Sequence, residues 1–208
     1  GLLGKVYLYS KEYEKSIEWL EKSTTGHELY KDYAGLFNLD GGHTSSEMIF
    51  SIINLGGTGS NYGMPFCFYA GTRNTFGSCW NNTVPSTNLA DMYECKDGRP
   101  FDWDELFPGF STDVSVRKSV FECDINNAGE ILSIPAESEK IKQMYEERDP
   151  RMKATLIMPY TTYIGWYSNK EKEMTFLLSE NRAPLNPTNG FMQNNKGGWE
   201  TYFWRKFV

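Results

Sequence analysis

The chain has 208 residues, enough for one medium domain with a real core. Its 27 acids outnumber its 21 lysines and arginines, for a formal net charge of −6. With no basic cluster to offset that balance, the chain is a poor candidate for gripping phosphate backbones, so nucleic acid is not an expected partner. No apolar run is long enough to cross a bilayer, and residues 1–20 lack the layout of a signal peptide.

The opening stretch, "LLGKVYLYSKEYEKSIEWLEK", reads as two helices joined by a tight turn. Leu3, Gly4 and Tyr7 fit the first helix of a tetratricopeptide unit, and Tyr13, Ser16, Ile17 and Leu20 the second. Such a unit stacks on neighbours, and no second copy follows at the ~34-residue period. The first helix begins without a cap, so the chain reads as a segment of a longer protein. "YKDYAGLFN" (30–38) is expected to be another short helix. In "SSEMIFSIIN" (45–54) the run from Met48 to Ile53 is rich in β-branched residues and predicts a short buried strand. The "GGTGS" after it lacks the lysine and spacing of a phosphate-binding loop and reads as a turn.

Residues 61–84 have loop chemistry at Gly63, Pro65, Gly71 and Gly77. "PSTNLADMYECKDG" (85–98) predicts a helix capped by Ser86 or Thr87, with Leu89, Met92 and Tyr93 on one face. Residues 99–134 look irregular, with at most short strands. "PAESEKIKQMYEERDPR" (135–151) is the clearest helix, with Ile141, Met144 and Tyr145 on one face and Pro150 as its stop. "MKATLIM" (152–158) and the terminal "WETYFWRKFV" are strand candidates.

No catalytic constellation has strong spacing: G-x-S-x-G, H-E-x-x-H and a Cys/His family signature are all missing. Asp102, Asp104 and Glu105 in "FDWDELF" could be paired acids of a glycoside hydrolase, but a solvated turn is the simpler reading. His43 reads as a polar loop residue. In "ERDPR", Asp149 between Arg148 and Arg151 suggests a carboxylate–guanidinium network that locks the next strand, with an arginine-lined anion site as the alternative. Cys67, Cys79, Cys95 and Cys123 lack metal-ligand spacing and read as small buried thiols, with a Cys67–Cys79 disulfide open to an exported protein. No metal and no cofactor are expected.

The motifs stand in a telling order: "GKVYLYSKEYEKSIEWLEK", "YKDYAGLF", "SSEMIFSI", "PSTNLADMYECKDGRPF", "EERDPRMKATLIMP" and "YFWRKFV". No one of them is specific, but the ordered set resembles the SusD/RagB family of outer-membrane nutrient-binding lipoproteins. The resemblance implies a mainly α fold with an irregular α+β lobe: a tetratricopeptide-like helix pair in 1–38, incomplete, leading into a SusD-like ligand-binding lobe in 39–208. It implies non-catalytic capture of glycans at the extracellular face of the cell outer membrane, with a SusC-like TonB-dependent transporter as partner. The lipid anchor of such proteins would lie outside this chain, because none of the four cysteines fits the lipid-bearing position. A peptide-binding member, or a structural partner of the transporter with no ligand site of its own, are the alternatives.

In such proteins sugar-stacking aromatics often come from the variable segment between "EMIF" and "PSTNL". By position alone, the resemblance places the carbohydrate site on Trp80, Asn81, Asn82, Tyr69, Arg73 and Asn74. Tyr62, Trp166, Tyr167 and Trp199 are secondary candidates. The chemistry agrees, because an aromatic plate covers the apolar face of a pyranose while Arg and Asn hydrogen-bond its hydroxyls. Aromatics form 15% of the chain, which permits this role without requiring it.

Overall fold

A computed structural model of the protein describes residues 1–37, 45–51, 69–72, 79, 82–167, 170–179, 191–193 and 201–206, with the backbone alone for Tyr167 and 191–193. The chain forms two compact units, Gly1–Met64 and Pro65–Val208.

In the first unit, helices α1 (Leu2–Tyr9) and α2 (Tyr13–Thr24) form the expected pair. Lys11 turns the chain between them in the left-handed region (φ 62°), and its N–H closes on the Leu8 carbonyl at 3.1 Å. The close approach of the helices rests on Gly4. A Cβ there would stand 2.8 Å from Leu20 Cγ and 3.1 Å from the Leu20 backbone nitrogen. The buried Ser16 hydroxyl then donates to the Gly4 carbonyl at 2.9 Å, so the same pair of small residues gives both proximity and a hydrogen bond.

Two expectations change in this unit. The short helix of 30–38 is a single 3-10 turn, Gly35–Phe37, started by Asp32 Oδ1 accepting the Ala34 N–H. The strand of 45–54 does not form over its described part, 45–51. Ser45 Oγ accepts the Glu47 N–H, Glu47 accepts the Tyr30 N–H at 2.7 Å, and His27 Nδ1 lies 2.8 Å from the Ser46 carbonyl. Those local bonds use the groups a ladder would need, and Phe50 is left 82% exposed. Ile52 and Ile53 lie outside the described residues.

The second unit is a mixed α/β lobe of short elements. Helices α3 (Thr87–Asp91), α4 (Trp103–Leu106) and α5 (Val114–Phe121) precede a two-stranded pair, β1 (Asp124–Ile125) and β2 (Ile131–Ser133). Next come α6 (Ser138–Glu146) and α7 (Pro150–Thr155). Strand β3 (Leu156–Ile157) pairs antiparallel with β7 (Phe203–Trp204). A third sheet has the order β4 (Thr162–Tyr167), β5 (Lys170–Leu177) and β6 (Phe191–Gln193), the first pair antiparallel and the second parallel. One core runs under these elements, including Val120, Ile125, Ile141, Tyr145, Met152, Leu156, Met174, Phe176 and Phe203.

The local chemistry explains why such short helices hold. Ser86, Asp102, Asp113 and Asp149 each cap a helix, accepting the N–H of Leu89, Asp104, Ser115 and Arg151 at 2.7–3.1 Å. The stretch 99–134 therefore carries two helices where only short strands were expected. Helix α3 stops at Asp91, which leaves Met92 exposed and makes Ala90 the buried residue instead.

Pro150 opens α7 at its first position instead of merely stopping α6, so 152–155 of the expected "MKATLIM" strand are helical. The terminal strand is likewise cut to Phe203–Trp204, with Tyr202 and Phe203 both buried. Ile141, Met144 and Tyr145 form the buried face of α6 as expected.

Candidate ligand-binding site

Of the residues expected to hold a sugar, Tyr69 and Asn82 are described and stand together. The Tyr69 carbonyl accepts the N–H groups of Asn82 at 2.7 Å and Thr83 at 3.1 Å, so the backbone at 69 is held beside that at 82–83. The footing between them is buried at Ala70, Thr72 and Cys79. Thr72 Oγ1 lies 3.4 Å from the Tyr163 hydroxyl on β4, whose burial pushes that phenol up to about 12. Above this footing the Tyr69 ring is 47% exposed and Asn82 is exposed. Arg73, Asn74, Trp80 and Asn81, and of the secondary residues Tyr62 and Trp199, lie outside the described residues.

Trp166 and Tyr167 end β4, opposite Glu171 and Lys170 of β5. Trp166 is half-buried and shares its sheet face with Ile164, which is 62% exposed. Tyr163 points to the other, buried face, toward Thr72. Trp166 is thus set on the sheet face opposite the footing of the Tyr69–Asn82 loop.

The acids of "FDWDELF" are accounted for structurally. Asp102 caps α4, and Asp104 accepts the Ser111 N–H at 3.3 Å, contacts that hold its carboxyl below its usual value. Glu105 pairs with Arg99 at 3.2 Å. In "ERDPR", Asp149 pairs with Arg151 as anticipated, and this contact lowers the Asp149 pKa.

Arg148 behaves differently from that network. It is 1% exposed and donates from Nη2 to the carbonyls of Ala90 (2.7 Å) and Tyr93 (2.6 Å), while its guanidinium carbon lies 3.7 Å from the Phe101 ring centroid. Burial lowers its pKa, and among the described residues no carboxylate forms an ion pair with it.

The sequence reading missed a cavity of about 600 Å³ between α3, α4 and α5. Trp103 and Phe110 line it as a stacked pair, centroids 4.4 Å apart at 13°, with Phe121 edge-on to Trp103 at 5.5 Å. Asp91 stands in the wall and accepts the Trp103 indole N–H at 2.8 Å. Across from it, Arg117 Nη1 donates to the carbonyls of Phe110 (2.8 Å) and Ser111 (3.1 Å). Thr87, Ser111 and Lys118 also line it, together with Leu178, Thr201 and Tyr202. The available signal was the density of Phe and Trp from 101 to 121, next to Asp residues placed as helix caps.

Among the described residues no group of three or more His, Cys, Asp or Glu could hold a metal ion, and no helix is long and apolar enough to cross a membrane. No curated protein and no solved structure matches the chain. Residues 46–208, most of the chain, match the SusD family. The chain therefore belongs to the SusD family, SusD/RagB proteins that take part in nutrient capture at the outer membrane and bind without catalysis.

Proposed function

We propose that the protein captures glycans at the extracellular face of the outer membrane and presents them for import. Proteins of this family typically pair with SusC-like TonB-dependent transporters, and that pairing, with a lipid anchor outside this chain, belongs to the proposal. So do the tetratricopeptide-like reading of residues 1–38 and the placing of the ligand site in 39–208.

The observation that carries the reading is the pinned base of the Tyr69–Asn82 loop. It holds the backbones of two exposed residues, an aromatic and an amide, next to each other on a buried footing. A ring and an amide held together suit a pyranose, which offers an apolar C–H face and a rim of hydroxyls. A fixed footing also reduces the ordering cost of binding. Trp80, Asn81, Arg73 and Asn74 occur within the same loop and would extend this surface, with Trp80 as the main plate.

Isothermal titration of the full protein with a panel of oligosaccharides tests the proposal. Trp80→Ala is expected to weaken the best ligand about tenfold, the scale of one lost stacking contact. Equal affinity in the two proteins removes Trp80 from the site. No binding to any glycan overturns the glycan reading and leaves peptide capture as its replacement.

A further inference from the structure

The cavity between α3, α4 and α5 is separate in sequence from the Tyr69–Asn82 loop and has its own chemistry. We propose that it is a second ligand site, and that it takes the carboxylated end of an acidic saccharide, one or two rings long.

Size comes first. A volume of about 600 Å³ lies within the usual range for small-molecule pockets. The stacked Trp103–Phe110 pair is almost wholly buried, and what remains exposed of each ring borders this space. With Phe107 also stacked on Trp103 and Phe101 and Phe121 edge-on to it, the rings offer the cavity a narrow apolar border, against which the C–H groups of a sugar can pack.

Charge narrows the choice. Arg117 is held in place by two carbonyls, which orient the guanidinium without neutralising it. Asp113, the N-cap of α5, has its Oδ1 engaged by the Ser115 N–H and hydroxyl, each at 2.7 Å; those bonds, with a smaller contribution from the Arg117 charge, lower its pKa, but it makes no ion pair with Arg117. Among the described residues no carboxylate is within ion-pair distance of Arg117. A ligand carboxylate would supply the partner that a guanidinium fork accepts best.

Asp91 sets the other limit. One of its oxygens takes the Trp103 indole N–H, and the carboxylate still has acceptor capacity for ligand hydroxyls. Lys118 also lines the cavity, so its wall carries two cationic side chains and one carboxylate, and a ligand carboxylate can sit at Arg117 with the ligand's hydroxyls toward Asp91. A purely apolar ligand would bury Asp91 and Arg117 with part of their hydrogen-bonding capacity unmet, which is costly. A uronic acid satisfies all three surfaces at once.

The test uses digalacturonate and dimannuronate, their methyl esters, and isothermal titration against the full protein. At least one acid disaccharide is expected to bind, and esterification should weaken it about tenfold or more, as loss of a charge-assisted pair does. Arg117→Gln should reproduce that loss on the acid and leave the ester unaffected. Trp80→Ala should leave acid binding intact, which separates this site from the glycan loop.

Absence of binding by both acids overturns the proposal, as does equal affinity for acid and ester. Loss of acid binding in Trp80→Ala also overturns it, by placing the ligand at the loop. Because the ester comparison changes the ligand and not the protein, it stands even if Arg117→Gln fails to fold.

Discussion

Arg148 shows how much a single buried side chain can hold. Its guanidinium donates to the carbonyls of Ala90, in the last turn of α3, and of Tyr93, just past that helix's cap, and it lies against Phe101, so it joins three separate stretches of the lobe. Replacing it with methionine keeps most of the bulk, removes both Arg148 donors from the Tyr93 carbonyl and leaves the Ala90 carbonyl with the longer Tyr93 N–H contact at 3.4 Å. Arg148→Met should therefore cost about 2 kcal/mol in denaturant unfolding, the scale of one buried group left unsatisfied. A cost within error of zero would show that the carbonyls find other donors. The role was half legible: the sequence marked "ERDPR" as a charge network, but only Asp149 and Arg151 form it. Spacing cannot tell which of two neighbouring arginines turns inward, because that depends on the carbonyls that the α3 segment brings across.

Cys123 gives a second test at this scale. It is 1% exposed, and burial pushes its thiol up to about 11. With the folded pKa raised, the associated stability is complete below the unfolded value of about 8.5 and is lost as pH rises toward about 11. Cys123 should thus resist alkylation at pH 8 while half-buried Cys95 is modified, and become reactive on unfolding. Mass mapping after timed labelling distinguishes them, and equal rates would contradict the buried position.

Among the elements, the helix pair α1–α2 was readable because its contact depends on small residues at fixed places. Gly4→Ala puts a methyl 2.8 Å from Leu20 Cγ with the Leu20 backbone nitrogen close behind, so the helices must separate. A loss of about 1–3 kcal/mol is expected in thermal or chemical unfolding of the first unit, typical of overpacking. A neutral result would mean that Leu20 moves aside at no cost. Helix α6 was readable for the same kind of reason, since Ile141, Met144 and Tyr145 keep helical spacing on one buried face.

Elements set by tertiary contact were not readable. Helix α5, "VSVRKSVF", has weak intrinsic propensity, and it is fixed by the Asp113 cap and by burial of Val120 and Phe121. The strands β4 and β5, with the Ser-Asn pair between them in sequence, also went unpredicted. Their burial alternates only in part, and Trp166 interrupts the pattern with a half-buried aromatic on the exposed face. Pro150 was read as a stop when it is also a start, an ambiguity built into a residue that suits the first turn of a helix.

For the whole molecule, the order of motifs carried more than any one of them, and it pointed to the SusD family that residues 46–208 match. Nutrient binding without catalysis follows from that membership. The acids that might have argued for hydrolysis cap helices and pair with Arg99. Of the candidate sugar surface, the sequence indicated the segment, and the described residues show its base closed at Tyr69 and Asn82. The aromatic cavity beside Trp103 was invisible beforehand because its walls come from three helices, two of them unpredicted, and from Leu178, Thr201 and Tyr202 far along the chain.

The most direct test of glycan capture is a crystal structure of the full protein with its tightest oligosaccharide. The expected result is an uncleaved glycan with a pyranose face in van der Waals contact with Trp80 or Tyr69 and its hydroxyls bonded to asparagines of the same segment. A glycan bound wholly outside residues 69–82, or one found hydrolysed, would contradict it.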